Sequence, residues 1–105
     1  MIKKSETSII IRTRNEEQWI GYCIQSALDH IYKPEIIIVD NNSTDNTLEI
    51  VRHFIQEPLL EKSNKKYTNI KIVRIKDYSP GKALNLGVKK ATRKYIIILS
   101  AHCLL

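Results

Sequence analysis

Four short polar clusters hold the residue types in this chain that could do chemistry: Thr13-Arg14-Asn15-Glu16, Asp40-Asn41-Asn42-Ser43-Thr44-Asp45, the Ser79 to Asn85 segment SPGKALN, and Ser100-Ala101-His102. The first brings a hydroxyl, a guanidinium and the amides of a following helix to one place, a combination that can hold an anion. In the second, Asp40 comes directly after four branched apolar residues, and a carboxylate there can accept an N–H from a nucleobase or a hydroxyl from a ribose. Asn42, Ser43 and Thr44 are types that bond their own backbone in turns and cap helices, so they read as local structure. In the third, Lys82 stands in the first turn of a predicted helix. A positive side chain opposes the macrodipole there unless an anion such as a diphosphate lies near, and Asn85, three residues on, shares its face. In the fourth, alternation past Leu99 puts Ser100 and His102 on one face of an extended chain. The His102 imidazole could ligate a divalent cation, donate to a phosphate, or serve as an ordinary polar residue.

Several familiar sites are absent. Gly81-Lys82 lacks both the glycine five residues earlier and the following hydroxyl of a Walker A loop. His30 and His53 fall in predicted helices without ligand spacing and read as structural or surface residues. There is no HExxH, zinc-finger spacing or GxSxG elbow.

The elements that must position these clusters follow from the apolar pattern. Thr7 to Arg12, Glu35 to Val39 and Tyr95 to Leu99 are nearly continuous and dense in isoleucine, as strands buried on both faces of a parallel sheet are; Ile70 to Ile75 is a weaker fourth. Ile20, Cys23, Ile24, Ala27, Leu28 and Ile31 recur at helical spacing, with Asn15 the expected cap and Glu16 and Glu17 at the positive end of the macrodipole. A second helix is predicted to begin after Ser43 or Thr44 and to bury Leu48, Val51, Phe54 and Ile55. A third, started by Ser79 with Pro80 in its first turn, is predicted to bury Leu84, Val88 and Ala91, with Gly87 a packing glycine. Strand and helix alternate, which argues for an open α/β sheet with right-handed crossovers, helices on both faces and ligands at the carboxyl ends of the strands. Every polar cluster falls at such an end. The one long connection, Gln56 to Asn69, contains Pro58 and a Leu59-Leu60 pair predicted to tuck against the body.

A chain of 105 residues is one domain with a modest core. Its formal charge of +6 attracts phosphates, nucleic acids or anionic membrane surfaces. The basic residues are scattered and the aromatics are not interleaved with them as stacking platforms, so specific nucleic-acid binding is not expected. No apolar run approaches the roughly 20 residues needed to cross a bilayer, and charge returns at Arg12 before a signal peptide could form, so cytoplasmic residence is the default. Cys23 and Cys103 read as reduced thiols, and two cysteines alone cannot hold zinc.

Four segments, SIIIRTRNEE (Ser8 to Glu17), EIIIVDNNSTDNT (Glu35 to Thr47), SPGKALNLGVKKA (Ser79 to Ala91) and KYIIILSAH (Lys94 to His102), taken in this order, closely resemble the N-terminal, nucleotide-binding half of the family 2 glycosyltransferases of GT-A fold. The resemblance implies a Rossmann-like α/β subdomain over residues 1–105, with a mostly parallel open sheet of about four strands and flanking helices. It implies a site for a nucleoside-diphosphate sugar, with Thr13, Arg14, Asn15 and Glu16 lining the nucleoside side. Asp40 would contact the base with Asn41 beside it, Lys82 and Asn85 would lie near ribose or diphosphate, and Ser100 would stand at the end of the fourth strand. Family members usually carry paired acids after the second strand, where this chain has Asp40-Asn41, which weakens any assignment of uracil. They usually end the fourth strand in Asp-x-Asp, whose last acid helps to hold manganese or magnesium; Ser100 and His102 take those places, so Mn²⁺ or Mg²⁺ use is open, with His102 the candidate ligand.

The implied reaction is inverting sugar transfer to a saccharide or related acceptor in polysaccharide or glycan biosynthesis, in the cytoplasm or peripheral to the inner face of a membrane. The catalytic base and acceptor region belong to the second half of a family member. The chain is therefore expected to be a truncated donor-binding domain, inactive alone, with one side of its sheet uncovered and open to self-association. A dinucleotide oxidoreductase or a sugar nucleotidyltransferase would want glycines where Arg12-Thr13-Arg14-Asn15 stands. A non-catalytic nucleotide-binding or interaction fragment is the alternative outside enzymes.

Overall fold

The isoleucine-dense runs form strands because branched side chains pack well on a pleated surface, and they lie at the centre because both of their faces are apolar. The computed structural model describes residues 6–56 and 69–101. In chain order its elements are β1 (Thr7–Thr13), α1 (Ile20–His30), β2 (Glu35–Asp40), α2 (Thr47–Gln56), β3 (Asn69–Arg74), α3 (Pro80–Lys90) and β4 (Tyr95–Ser100). The four strands make one parallel sheet in the order β3-β2-β1-β4, the expected Rossmann-like arrangement. Alternate strand residues face opposite sides. Ile9, Ile11, Ile36, Ile38 and Ile70 pack with Ile20, Cys23, Ile24 and Ala27 of α1 and Val51 of α2, while Ile10, Ile37 and Val39 pack with Ala83 and Leu86 of α3.

Three helix expectations need correction. The first is that Asn15 does not cap α1. The helix begins at Ile20 behind Trp19, has no side-chain cap and no acidic residue in its first turn, because Asn15, Glu16 and Glu17 belong to a loop tied to the next crossover. The second is that α2 starts at Thr47, since Ser43 and Thr44 are likewise held in that loop contact. It still buries Leu48 and Val51, with Phe54 and Ile55 packed at the core's margin. The third concerns α3, which is capped as expected: the Lys82 N–H donates to Ser79 Oγ (3.2 Å) and Pro80 opens the helix. Its buried residues, however, are Ala83 and Gly87, whereas Leu84 is half-buried and Val88 exposed. The helix is turned so that Gly87 lies directly on Ile10, and that rotation carries Val88 outward.

Among the described residues β4 is an edge strand paired with β1 alone, and α3 packs over β1 and β2. Its run was expected to be buried on both faces, but only the Ile97 and Leu99 face is covered; Ile96 and Ile98 are 39% and 46% exposed.

At the amino end of the sheet the buried carboxylate of Glu35 ties four segments together. Ser8 Oγ donates to Oε1 (2.6 Å), as does the Thr92 N–H (2.8 Å), while Thr92 Oγ1 (2.8 Å) and Lys71 Nζ (3.0 Å) donate to Oε2. Burial pushes the carboxyl's pKa up, but the bonds from Ser8, Thr92 and Lys71 outweigh it and lower the value from 4.5 to about 2. The Cys23 thiol is buried and donates to the Ser100 carbonyl oxygen at 3.8 Å. Among the described residues no helix is long and apolar enough to cross a membrane. The Leu59-Leu60 pair and its connection, His102, Cys103 and the last two leucines lie outside the described residues.

Candidate functional site

Parallel strands deliver their carboxyl ends to one edge, and here the β1–α1 and β2–α2 loops meet there and hold each other. Asn15 and Asn42 take left-handed backbone (φ 50° and 57°), which asparagine tolerates better than most residues. The turn at Asn15 points its Oδ1 at the second loop, where it accepts the N–H groups of Thr44 (2.7 Å) and Asp45 (3.3 Å). In return, the Asn15 N–H donates to Ser43 Oγ, Glu16 N–H to Thr47 Oγ1 and Glu17 N–H to Asp45 Oδ2. The Asn46 N–H donates to Glu17 Oε1. Asp40 is fully buried and holds its own turn, its two oxygens accepting the Ser43 hydroxyl (2.6 Å) and N–H (3.0 Å). Burial raises the Asp45 carboxyl's pKa, but the hydroxyl and N–H of Thr47 and the Glu17 N–H outweigh it and hold the group below its usual range.

This zip yields a prediction. Asn15→Ala should cost about 1–2 kcal/mol, because it loses the acceptor and keeps a β-carbon in left-handed backbone, and Asn15→Gly should cost less because only the acceptor is lost. Urea titration of the two variants checks this; equal losses would mean that the backbone angle contributes nothing.

Beside the zip lies a cleft of about 430 Å³ lined by Arg12, Thr13, Arg14, Glu16, Asn41, Tyr78, Ser100 and Ala101. Arg12 on β1 is in register with Ser100 on β4, so their side chains leave the sheet on the same face. Its guanidinium lies between Ser100 Oγ (3.4 Å from Nη2) and the Tyr78 hydroxyl (3.5 Å from Nη1), both at the long limit of hydrogen bonding. Arg12 Nε and Thr13 Oγ1 are buried without a partner among the described residues, and Thr13 is only 5% exposed. A buried polar atom left unpaired costs about 1–3 kcal/mol, so native structures rarely keep one without a reason such as a ligand. A second depression, about 530 Å³, is lined by Arg52, His53 and Arg74 together with Asp45 and Glu49, and contains neither of these unpaired atoms.

The sequence pattern of glycosyl transferase family 2 matches residues 8–105. The chain belongs to that family. Over 98 residues this family 2 chain is 37% identical to a Methanococcus voltae protein, the dolichyl N-acetyl-alpha-D-glucosaminyl phosphate 3-beta-D-2,3-diacetamido-2,3-dideoxy-beta-D-glucuronosyltransferase, a match covering 90% of this chain and 28% of that protein. Among solved structures it is similar to S. aureus TarS 1-349 in complex with UDP, with a TM-score of 0.73 and 25% identity over 91% of this chain and 27% of that one. It also shares its fold with the mannosyltransferase PcManGT from Pyrobaculum calidifontis in complex with GDP-Man and Mn²⁺, with a TM-score of 0.75 and 24% identity over 97% of this chain and 29% of that one. The chain spans less than a third of the length of each of these relatives.

Of the residues singled out in this family 2 sequence, Thr13, Arg14, Glu16, Asn41 and Ser100 meet in the cleft. Asn15 and Asp40 shape the loops beside it and are not in its lining. Lys82 and Asn85 are exposed on α3 and do not line it either. Arg12 and Tyr78 were missed. The signal for Arg12 was a charge near the end of an apolar strand, and its meaning depends on the pairing with Ser100; Tyr78 lies between β3 and α3, with no pattern of its own. His30, read as structural or surface, is exposed and bonds through Nδ1 to the Ser26 carbonyl oxygen of its own helix (2.8 Å).

The described residues contain no group of three or more His, Cys, Asp or Glu able to hold a metal ion. At the end of β4 Ser100 Oγ accepts from the Arg12 guanidinium and the described lining of the cleft adds one carboxylate, Glu16, whereas Mn²⁺ and Mg²⁺ want several carboxylate, carbonyl or water oxygens. These residues do not fit such an ion.

Proposed function

We propose that this family 2 chain is the donor-binding part of an enzyme that transfers a sugar from a nucleoside-diphosphate sugar to a saccharide or related acceptor in glycan or polysaccharide synthesis. The observation that carries the reading is the cleft at the carboxyl ends of the parallel strands, where Thr13 Oγ1 and Arg12 Nε lie buried and unpaired. Supporting it are the names of similar proteins, which include a glucuronosyltransferase and a UDP complex. In this reading Thr13, Arg14, Glu16 and Asn41 line the nucleoside side and Ser100 lies toward the diphosphate. Asn15 and Asp40 set the wall against the base, and Lys82 with Asn85 approaches ribose or diphosphate from the start of α3.

In the transfer, an acceptor oxygen bonds to the anomeric carbon as the bond from that carbon to the diphosphate oxygen breaks. The leaving group keeps the electron pair, and the acceptor's proton passes to a carboxylate contributed by another part of the enzyme. This chain's share is to bind and orient the donor, so on this reading it transfers no sugar by itself. The reading puts the enzyme in the cytoplasm, and the charge of +6 suits a position against the anionic inner face of a membrane.

The test is a titration of the labelled chain with UDP, GDP, CDP and dTDP, each with Mn²⁺ and with chelator, followed by amide chemical shifts. Saturable shifts at Thr13, Arg14 and Asn41 for one nucleotide are expected. Their absence for every nucleotide would remove the donor-site reading, and sugar transfer by the 105-residue chain would refute the division of labour.

A further inference from the structure

Arg12 is the one charged residue of the cleft that projects from the sheet itself rather than from a loop, and its surroundings do not neutralise it. No carboxylate among the described residues pairs with it; its contacts are the Ser100 and Tyr78 hydroxyls, at 3.4 and 3.5 Å. Hydroxyls at that range fix a guanidinium's direction without satisfying it, whereas a phosphate oxygen would approach its N–H groups at about 2.8 Å and could do so in pairs. The neighbouring Thr13 hydroxyl, almost wholly buried and unpaired, marks the same wall as built for something that is polar.

The position excludes a second cation. An ion coordinated by Ser100 Oγ would sit at about 2.0–2.6 Å from that oxygen and so within about 6 Å of the guanidinium, two like charges in a partly buried site. Glu16 is the one carboxylate among the described residues that line the cleft, too few to offset two such charges, and the buried Asp40 is turned to Ser43 and is not in the lining.

We infer that Arg12 supplies the positive charge that meets the donor's diphosphate, so that this chain binds its nucleotide without metal. The inference rests on the donor-site reading and adds to it the group that holds the diphosphate. It also accounts for Ser100: a hydroxyl there steers the guanidinium, whereas an acid at that point would pair with it and cancel the charge offered to the ligand.

The experiment is calorimetric titration of the 105-residue chain, and of Arg12→Ala and Arg12→Lys, with UDP, GDP, CDP and dTDP in Mn²⁺ and in EDTA, with the matching nucleosides as a control for base contacts. The expected result is an affinity that is the same in Mn²⁺ and EDTA within about twofold. Arg12→Ala should weaken the diphosphate by about tenfold or more, as the loss of charge-assisted hydrogen bonds does, with Arg12→Lys in between and nucleoside binding unchanged. Amide spectra of each variant show whether it is folded, and Arg12→Lys keeps the test standing if Arg12→Ala is not. Binding that disappears in EDTA and returns with Mn²⁺, or that ignores Arg12→Ala, overturns the inference and leaves the donor site in place. Absence of binding to every nucleotide, with and without metal, overturns both.

Discussion

Glu35→Ala should destabilise the chain by about 3 kcal/mol at pH 7, and the loss should shrink as the solution is acidified. The size follows from the carboxyl's pKa, lowered from 4.5 to about 2 in the folded protein, at 1.36 kcal/mol for each unit. The sign follows from which state holds the proton. Above about pH 4.5 the carboxylate is ionised whether or not the chain is folded, and the folded state has the whole benefit of Ser8, Thr92 and Lys71 around it. As pH falls from 4.5 towards 2 the unfolded chain takes up a proton that the folded one refuses, and this contribution is lost. Glu35→Gln removes the titration and places an amide N–H among donors, so it should be destabilised at neutral pH and less sensitive to acid. Asp45, also held below its usual range, contributes an acid dependence common to both proteins. Urea unfolding at pH 7, 4 and 3 checks the argument. Parallel curves for the wild type and Glu35→Gln would show that the buried cluster carries no linkage.

Gly87→Ala should cost about 1–3 kcal/mol although alanine is the better helix former. A β-carbon at Gly87 would lie 2.6 Å from Ile10 Cγ2 and 3.1 Å from its Cδ1. Ile10 is fully buried in the middle of β1, and its branched side chain has few rotamers to retreat into, so α3 must lift off the sheet. The helix-propensity gain of alanine over glycine, up to about 1 kcal/mol, is the smaller effect. Gly81→Ala is the control: nothing lies within 4 Å of the added carbon, so only the propensity term acts and the variant should be as stable as the wild type or slightly more so. Thermal or urea unfolding of the pair decides it. Two variants of equal stability would mean that α3 is not in close contact with β1.

These two sites illustrate what could be read from the sequence. All four strands were visible because runs such as EIIIV admit few other readings, and the order of elements followed from the alternation. The buried face of α3 was legible only in part: Gly87 reads as a packing glycine, but apolar spacing counts large side chains and so put Leu84 and Val88 inward where Ala83 is buried. The start of α1 was misplaced for a related reason: Asn15 has the chemistry of a cap, but its partners at Thr44 and Asp45 are 29 and 30 residues away. The same distance effect governs the cleft. Thr13, Arg14, Glu16, Asn41 and Ser100 were picked out as polar residues at strand ends, while Arg12 gained its meaning only from register with a residue 88 positions later. Local chemistry was legible, and pairings made by topology were not.

The mutual grip of the β1–α1 and β2–α2 loops has a thermodynamic consequence. Loops that bond mainly to solvent lose freedom when a ligand arrives, and affinity is reduced by that loss. Here Asn15, Glu16 and Glu17 have already surrendered it to Ser43, Thr44, Asp45 and Thr47 in the course of folding. A nucleotide would meet a wall set in advance, and its association would be limited by encounter rather than by rearrangement. Substitution of Asn15, which does not line the cleft, would then change how firmly a ligand is held by returning to the loops the disorder that folding had removed.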